Sequence, residues 1–437
     1  MKWLKVTALV AGALLVLVAL VPFLVPASGY IPAIEKEISA RLGEPTKIRA
    51  LRASLLPAPH LTAEGIAIGA EQGIKIEKLA IKPELLSLLR AQKVIRRVEA
   101  NELVLTQKAL AGLASLSQKE AGEGGVRVEQ IRLNNAIVHL EKANIGPLDV
   151  RVEAAAAGQK GEISLRTHDD TLTATITPEG ERFLINIMAR GWTAPVGPAI
   201  RFDQLDVSGV ATRTQAELKT IHGKLYGGTV SGDALIAWDK NVSLKARLEL
   251  GRVDMKPLAA LFSRDARVSG RLDAQPVVTG TAASAAGLGE ALRVETPFTV
   301  HEGVLHGIDL AGAAIGQGRS GGDTRFDNLS GRLTMEQRAY RFTQLNITSS
   351  GVNARGQVTI APNKTLAGRL DASVAGAASA LRIPLTVAGT VDAPRVYPNT
   401  SAVAGAAAGT VILGPGLGTA AGAKAGEIVE GLFGKKR

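Results

Sequence analysis

Along most of the chain apolar and polar residues alternate one by one. Val242, Leu244, Ala246, Leu248 and Leu250 are interleaved with Ser243, Lys245, Arg247 and Glu249. Leu172, Ala174 and Ile176 are interleaved with threonines, and Phe183, Ile185 and Ile187 follow. Val358 and Ile360, then Leu366 and Leu370, continue the pattern. Period two puts the apolar set on one side of a strand, and Gly, Asn or Asp between runs marks turns. The pattern therefore predicts antiparallel strands with one apolar face. Nearer the N-terminus, Ile66, Ile68, Ile74 and Ile76 form two such pairs around a Gly-containing turn. Val94-Ile95 and Leu103-Val104-Leu105 read as two further strands.

Helical spacing is rare. Ile34, Ile38 and Leu42 recur at i, i+4 and i+8, with Pro32 in the first turn and Gly43 as the stop, which predicts an amphipathic helix. It would lie over the start of a sheet, near the membrane surface, or simply bury one face. Pro83 to Leu89 reads as a short helix, and Lys108 to Glu123 as a helix running into a linker. Within the strand-rich region the one clear helical interruption is Asp254 to Phe262. Asp254 can cap it, Pro257 can sit in its first turn, and Leu258, Leu261 and Phe262 form its apolar side.

A strand every ~14 to 18 residues between 45 and 400 gives roughly 20 to 25 strands, and a sheet ~95 to 120 Å long at about 4.8 Å per strand. So long an open sheet must curl or fold over to cover its apolar face. The expected fold is mainly β with short helices: a long curled antiparallel sheet forming a groove, with packed sandwiches as the other solution. The two ends differ. Lys2 and Lys5 precede an uncharged run from Val6 to Val25, long enough as a helix for a ~30 Å hydrocarbon core. The lysines orient it with the N-terminus in the cytoplasm. A cleaved signal peptide ending near Val25-Pro26-Ala27 is the competing reading; both export the remainder. The C-terminal stretch from Val403 is Gly- and Ala-rich and ends Lys435-Lys436-Arg437. The expected segments are an anchor over 1–27, a helix-plus-strand region over 28–106, a helix or linker over 107–125, a repetitive β region over 126–400 and a basic tail over 401–437.

Composition narrows the function more than it names one. Aromatic residues are only 3% of the chain, so the stacking platforms of RNA and single-strand readers are missing and no nucleic-acid partner is expected. A net charge of +11 is compatible with anionic lipid headgroups, although bases and acids are intermixed from Lys36 to Lys108. With no cysteine there is no disulfide, thiolate nucleophile or Cys-ligated metal.

Three strings imitate catalytic motifs. Gly318-Arg319-Ser320-Gly321-Gly322 fits a nucleophile elbow, but no histidine follows His306. Gly316 to Gly321 fits G-x-G-x-x-G but leads into a turn and a strand rather than a helix. His301 and His306 are one residue too far apart for a helical zinc pair, and His60, His139, His168 and His222 are isolated. His168-Asp169-Asp170 reads as a loop. No catalytic, cofactor-binding or metal residue is assigned, no cofactor is expected, and no groove residue is singled out.

The order of elements is similar to that of a known family. An apolar anchor and amphipathic helix precede Ser54-Leu55-Leu56-Pro57-Ala58-Pro59-His60-Leu61-Thr62-Ala63-Glu64-Gly65-Ile66-Ala67-Ile68, then Lys78-Leu79-Ala80-Ile81-Lys82 and the Leu85 to Leu89 segment. Later come Leu225-Tyr226-Gly227-Gly228-Thr229-Val230-Ser231-Gly232, the stretches Thr324 to Gly331 and Leu345 to Ser350, and a closing Ile383 to Val396. Together these resemble the AsmA family, whose larger relatives include the TamB-like proteins. The resemblance covers about 1–106 and 225–398, with 125–224 alike only in strand character. It implies a single-pass inner-membrane protein with a periplasmic β-groove that acts without catalysis in cell-envelope and outer-membrane biogenesis. Lipid transport, with phospholipid passed along the groove toward the outer membrane, is the implied role. The alternative is a structural or regulatory factor for outer-membrane protein assembly that works through contacts with other envelope proteins.

Overall fold

The computed structural model describes residues 27–54, 59–69, 71, 73–84, 87, 93–107, 109, 126–140, 144–155, 161–195, 198–262, 267–315, 322–374 and 382–399. The expected anchor over 1–26, the Leu85 to Leu89 helix apart from Ser87, most of the 107–125 linker, the Gly316 to Gly321 motifs and the tail from 400 lie outside the described residues. Among the described residues no helix is long and apolar enough to cross a membrane. The chain divides into two compact units.

The first unit contains strands β1 (Thr46–Ser54), β2 (His60–Ile68), β3 (Ile74–Pro83), β4 (Lys93–Thr106), β5 (Val126–His139), β6 (Asn144–Glu153), β7 (Glu162–Thr167), β8 (Leu172–Glu179), β9 (Arg182–Thr193) and residues 204–211 of β10 (Arg201–Ala211). Each strand from β1 to β9 pairs with its successor. One pairing departs from the antiparallel expectation: β4 and β5 run parallel, with Ile95 opposite Val128 and Leu105 opposite Val138. Parallel neighbours need a crossover, and 19 residues separate Thr106 from Val126. Val94-Ile95 and Leu103-Val104-Leu105, expected as two strands, are the two ends of the single strand β4.

The predicted amphipathic helix forms as α1 (Ile31–Leu42), with Pro32 in its first turn and Gly43 at φ 72 ending it. Ile34 and Ile38 are buried, and the helix packs on β1 so that Ile48, Leu51, Ala63, Leu79, Ile95 and Val98 share its core. A crease crosses this sheet. The spacing of the inward apolar residues steps from two to three at Ile48/Leu51, Ala63/Ile66, Ala100/Leu103 and Leu133/Ala136, and the first three of these lie at matching levels through Ile76/Leu79 of β3. Gly65, Glu102 and Asn135 stand in the gaps of β2, β4 and β5 with positive φ, which lets one extra residue fit while both neighbours stay on one face. Glycine is required at 65, because a Cβ there would lie 2.8 Å from Cβ of Arg49.

The second unit contains β11 (Gln215–Leu225), β12 (Gly228–Trp238), β13 (Val242–Asp254), β14 (Val268–Ala274), β15 (Val277–Ala282), β16 (Arg293–Leu305), β17 (Thr324–Glu336), β18 (Ala339–Thr348), β19 (Val352–Ile360), β20 (Leu366–Val374), β21 (Ile383–Gly389) and β22 (Pro394–Pro398). All its pairings are antiparallel. β14 and β15 occupy one lane, both lying between β13 and β16, broken at Gln275-Pro276. The total of 22 described strands falls within the sequence estimate.

Helix α2 (Met255–Ala260) is the predicted interruption, and the Asp254 carboxylate accepts the Lys256 N–H as its cap. Two helices were not foreseen: α3 (Ala285–Leu288) and α4 (Leu310–Ala314). At four and five residues they are too short to show a helical period. Leu310, Ala313 and Ala314 are buried where α4 packs on β20, β21 and β22. Within this unit the ladder thus turns back on itself, as expected of a curled sheet. Arg267, just before β14, donates to the carbonyl of Asp392 in the β21–β22 turn.

Candidate functional site

The two sides of the strands differ in what covers them. In β1 to β5 the apolar side is buried, under α1 at its start. In the second unit α2 packs on β13 and β14, α3 on β13 and β15, and α4 on β20 to β22. Phe262, beyond α2, meets Tyr340 of β18 edge to face at 6.3 Å, and Phe298 meets Phe342 likewise at 6.0 Å. Burial raises the Tyr340 hydroxyl pKa above its ordinary value.

The face of β6 to β9 has no such cover among the described residues. Cross-strand register aligns Val152, Ile163, Ile176 and Ile185 in one row, and Val150, Leu165, Ala174 and Ile187 in the next. None of these eight residues is buried; all are half-exposed. Four strands at about 4.8 Å make this face roughly 15 to 20 Å wide. The two rows hold no titratable or hydrogen-bonding side chain, so the face can shelter hydrocarbon and cannot transfer a proton. Behind it, the polar side of β6 to β9 is electrically balanced. Arg151, Arg166, Arg182 and Arg190 are matched by Asp149, Glu153, Glu162 and Glu179.

Half of this face was visible in the sequence as the Leu172 and Phe183 alternations. Val150, Val152, Ile163 and Leu165 went unremarked, although Asp149-Val150-Arg151-Val152-Glu153 carries the same alternation.

Among the described residues β1 and β22 each pair on one side only, and their other edges are blunted. On β1 the outward N–H of Thr46 donates to Ser39 Oγ at 2.9 Å, and that of Ile48 to Glu35 Oε1 at 2.8 Å. Both acceptors belong to α1. On β22 the N–H of Asn399 points back to Pro384 at 2.9 Å, so the alternate positions 394, 396 and 398 face outward. Two of the three are proline and have no N–H to offer.

The histidines serve the strands. His301 bonds Asn328 through Nδ1 at 2.7 Å and Asp273 through Nε2 at 3.0 Å. His306 bonds Asp323 at 3.2 Å and Ser269 at 3.1 Å. The Gly307 N–H, and then His306, hold the Asp323 carboxyl below its usual range. His139 bonds Asn144, and His168 lies in a turn where Asp169 accepts from Thr171. Among the described residues no group of three or more His, Asp or Glu is arranged to hold a metal.

A family model described as the AsmA family matches residues 1–120 and 199–344. No curated protein and no solved structure matches the chain. The unmatched stretch between the two segments contains the β6 to β9 face, and the expected likeness of Ile383 to Val396 lies beyond the match. The matched segments nevertheless make up more than half of the sequence and contain α1, β1 to β4 and the first half of the second unit; the chain belongs to the AsmA family.

Proposed function

We propose that this protein is a non-catalytic envelope-biogenesis factor that shelters phospholipid acyl chains on the apolar face of β6 to β9. It would sit in the inner membrane through its N-terminal segment, with the strands in the periplasm, and hand lipid toward the outer membrane. The observation that carries the reading is the row Val152, Ile163, Ile176 and Ile185: aliphatic, in register, half-exposed and without a covering helix among the described residues. Each methylene laid on such a row is stabilised by about 0.8 kcal/mol, so binding needs no polar pocket. Family membership supports the envelope role. The alternative, capture of a protein by strand addition, meets blunted edges at both β1 and β22.

The test is lipid extraction with native mass spectrometry on the full chain purified in mild detergent. Phospholipid that co-purifies and is lost when the Ile163, Ile176 and Ile185 row is made charged supports the reading. A folded, lipid-free wild type overturns it.

A further inference from the structure

The polar side of β17 to β20 differs from that of β6 to β9. Each strand contributes one arginine to a staggered patch: Arg332, Arg341, Arg355 and Arg369. Arg341 lies opposite Thr334 and Thr359, Arg355 opposite Asn346 and Asp371, and Arg369 opposite Gln357 and Thr386. Strand spacing of about 4.8 Å, with a shift of one or two side-chain levels, puts successive guanidinium stems about 8 Å or more apart. All four arginines are exposed. Arg355 donates to Asn346 Oδ1 at 3.0 Å, whereas Arg332 and Arg341 have no ion-pair or hydrogen-bond partner among the described residues. Strands β17 to β22 hold six arginines, three acids and no lysine.

That selection has chemical content. Solubility alone is served as well by lysine, whereas the planar guanidinium fork matches phosphate and carboxylate oxygens in pairs. The surrounding Thr334, Thr343, Thr359 and Thr386 add hydroxyl donors. Tyr397 is the sole aromatic on this side of β17 to β22, so bases have no stacking platform. The patch spreads over four strands in two dimensions, which suits a surface of many phosphates better than one extended acidic peptide. We propose that the outer face of β17 to β20 is a docking surface for the phosphate headgroups of an anionic bilayer. This goes beyond the lipid-sheltering role, since it concerns the opposite side of the strands in the other unit and a membrane surface rather than acyl chains.

The test uses the full chain in phosphatidylcholine nanodiscs, mixed with separate vesicles of phosphatidylcholine or of phosphatidylcholine with phosphatidylglycerol. Captured vesicles are measured by co-sedimentation. The wild type should capture the anionic vesicles alone, and capture should fall steeply with added salt. R332Q/R341Q/R355Q/R369Q should lose about tenfold or more in capture. R151Q/R166Q/R182Q/R190Q removes the same net charge from β6 to β9 and should stay within about twofold of wild type. Equal losses in the two variants, salt-independent capture, or no preference for anionic vesicles would each overturn the proposal. Should the first variant lose its strand circular-dichroism signal, R332Q/R341Q replaces it, with a several-fold loss expected. Lipid carried by the chain, extracted from the same samples, should be unchanged; its loss alone would count against the apolar-face reading instead.

Discussion

Replacing the apolar row by alternating charges, Ile163→Glu, Ile176→Lys and Ile185→Glu, separates a ligand-binding face from an internal core. Register places residue 163 opposite 176 and 176 opposite 185, so opposite charges become neighbours and like-charge repulsion is avoided. All three isoleucines are half-exposed, so the new charges remain hydrated in the empty protein. A bound acyl chain would lose contact with three side chains. Taking about two methylenes per side chain at ~0.8 kcal/mol each gives ~5 kcal/mol, or between three and four powers of ten in affinity. The phospholipid-to-protein ratio after purification should therefore fall to background, while the thermal unfolding midpoint moves by only a few degrees. Ile38→Glu is the contrasting variant. Ile38 is 4% exposed on the inward face of α1, and an unpaired carboxylate there should prevent stable folding. A folded triple variant with wild-type lipid content would refute the reasoning, as would an Ile38→Glu protein as stable as wild type.

Three further outcomes are expected. Glu35→Ala removes the acceptor of the Ile48 N–H and the partner of Lys47 at 3.6 Å; it should cost about 1 to 2 kcal/mol in denaturant titration and raise light scattering as the β1 edge is uncovered. Leu385→Ala, at a position 1% exposed near α4, should cost about 2 to 5 kcal/mol by the same titration. Asp323 has a lowered folded pKa through the Gly307 N–H and His306, so its contribution is complete at neutral pH and is lost as pH falls below about 4 through that lowered value. Asp323→Asn should therefore be less stable than wild type at neutral pH and nearly equal to it at the acid end, as read from unfolding midpoints across pH.

Strand identity was legible because one side chain in two is apolar over long stretches, and α1 and α2 were legible because an apolar helical period adjoins one clear boundary residue in each, Gly43 at the end of α1 and Asp254 at the start of α2. The crease in β1 to β5 was also written in the chain. Ile48/Leu51, Ala63/Ile66 and Ala100/Leu103 each break the period of two by one residue, with glycine or a polar residue inside the gap. Read alone, each break looks like the end of a strand, so the sequence of β4 reads as two. Register reveals the breaks as one feature, and register is a relation between distant segments that no single window contains. The parallel pairing of β4 with β5 was hidden for the same reason. The half-exposed face of β6 to β9 was hidden differently. Its alternation is indistinguishable from that of β20, and only the placement of the short helices, such as α4 on β20 to β22, decides which apolar rows are covered.

The blunted outer strands constrain how such a protein can change its length. With Glu35 and Ser39 holding the donors of β1, and proline at two of the three outward positions of β22, an added strand at either end would have to displace an existing cap. A hairpin inserted between existing strands displaces nothing: it brings two new lanes, keeps the alternation on both sides and leaves the terminal strands as they were. The interior is therefore the growth zone of this architecture. The stretch between the two family-matched segments, where β5 to β9 lie, is interior in this sense: a further hairpin there would leave both β1 and β22 as they are.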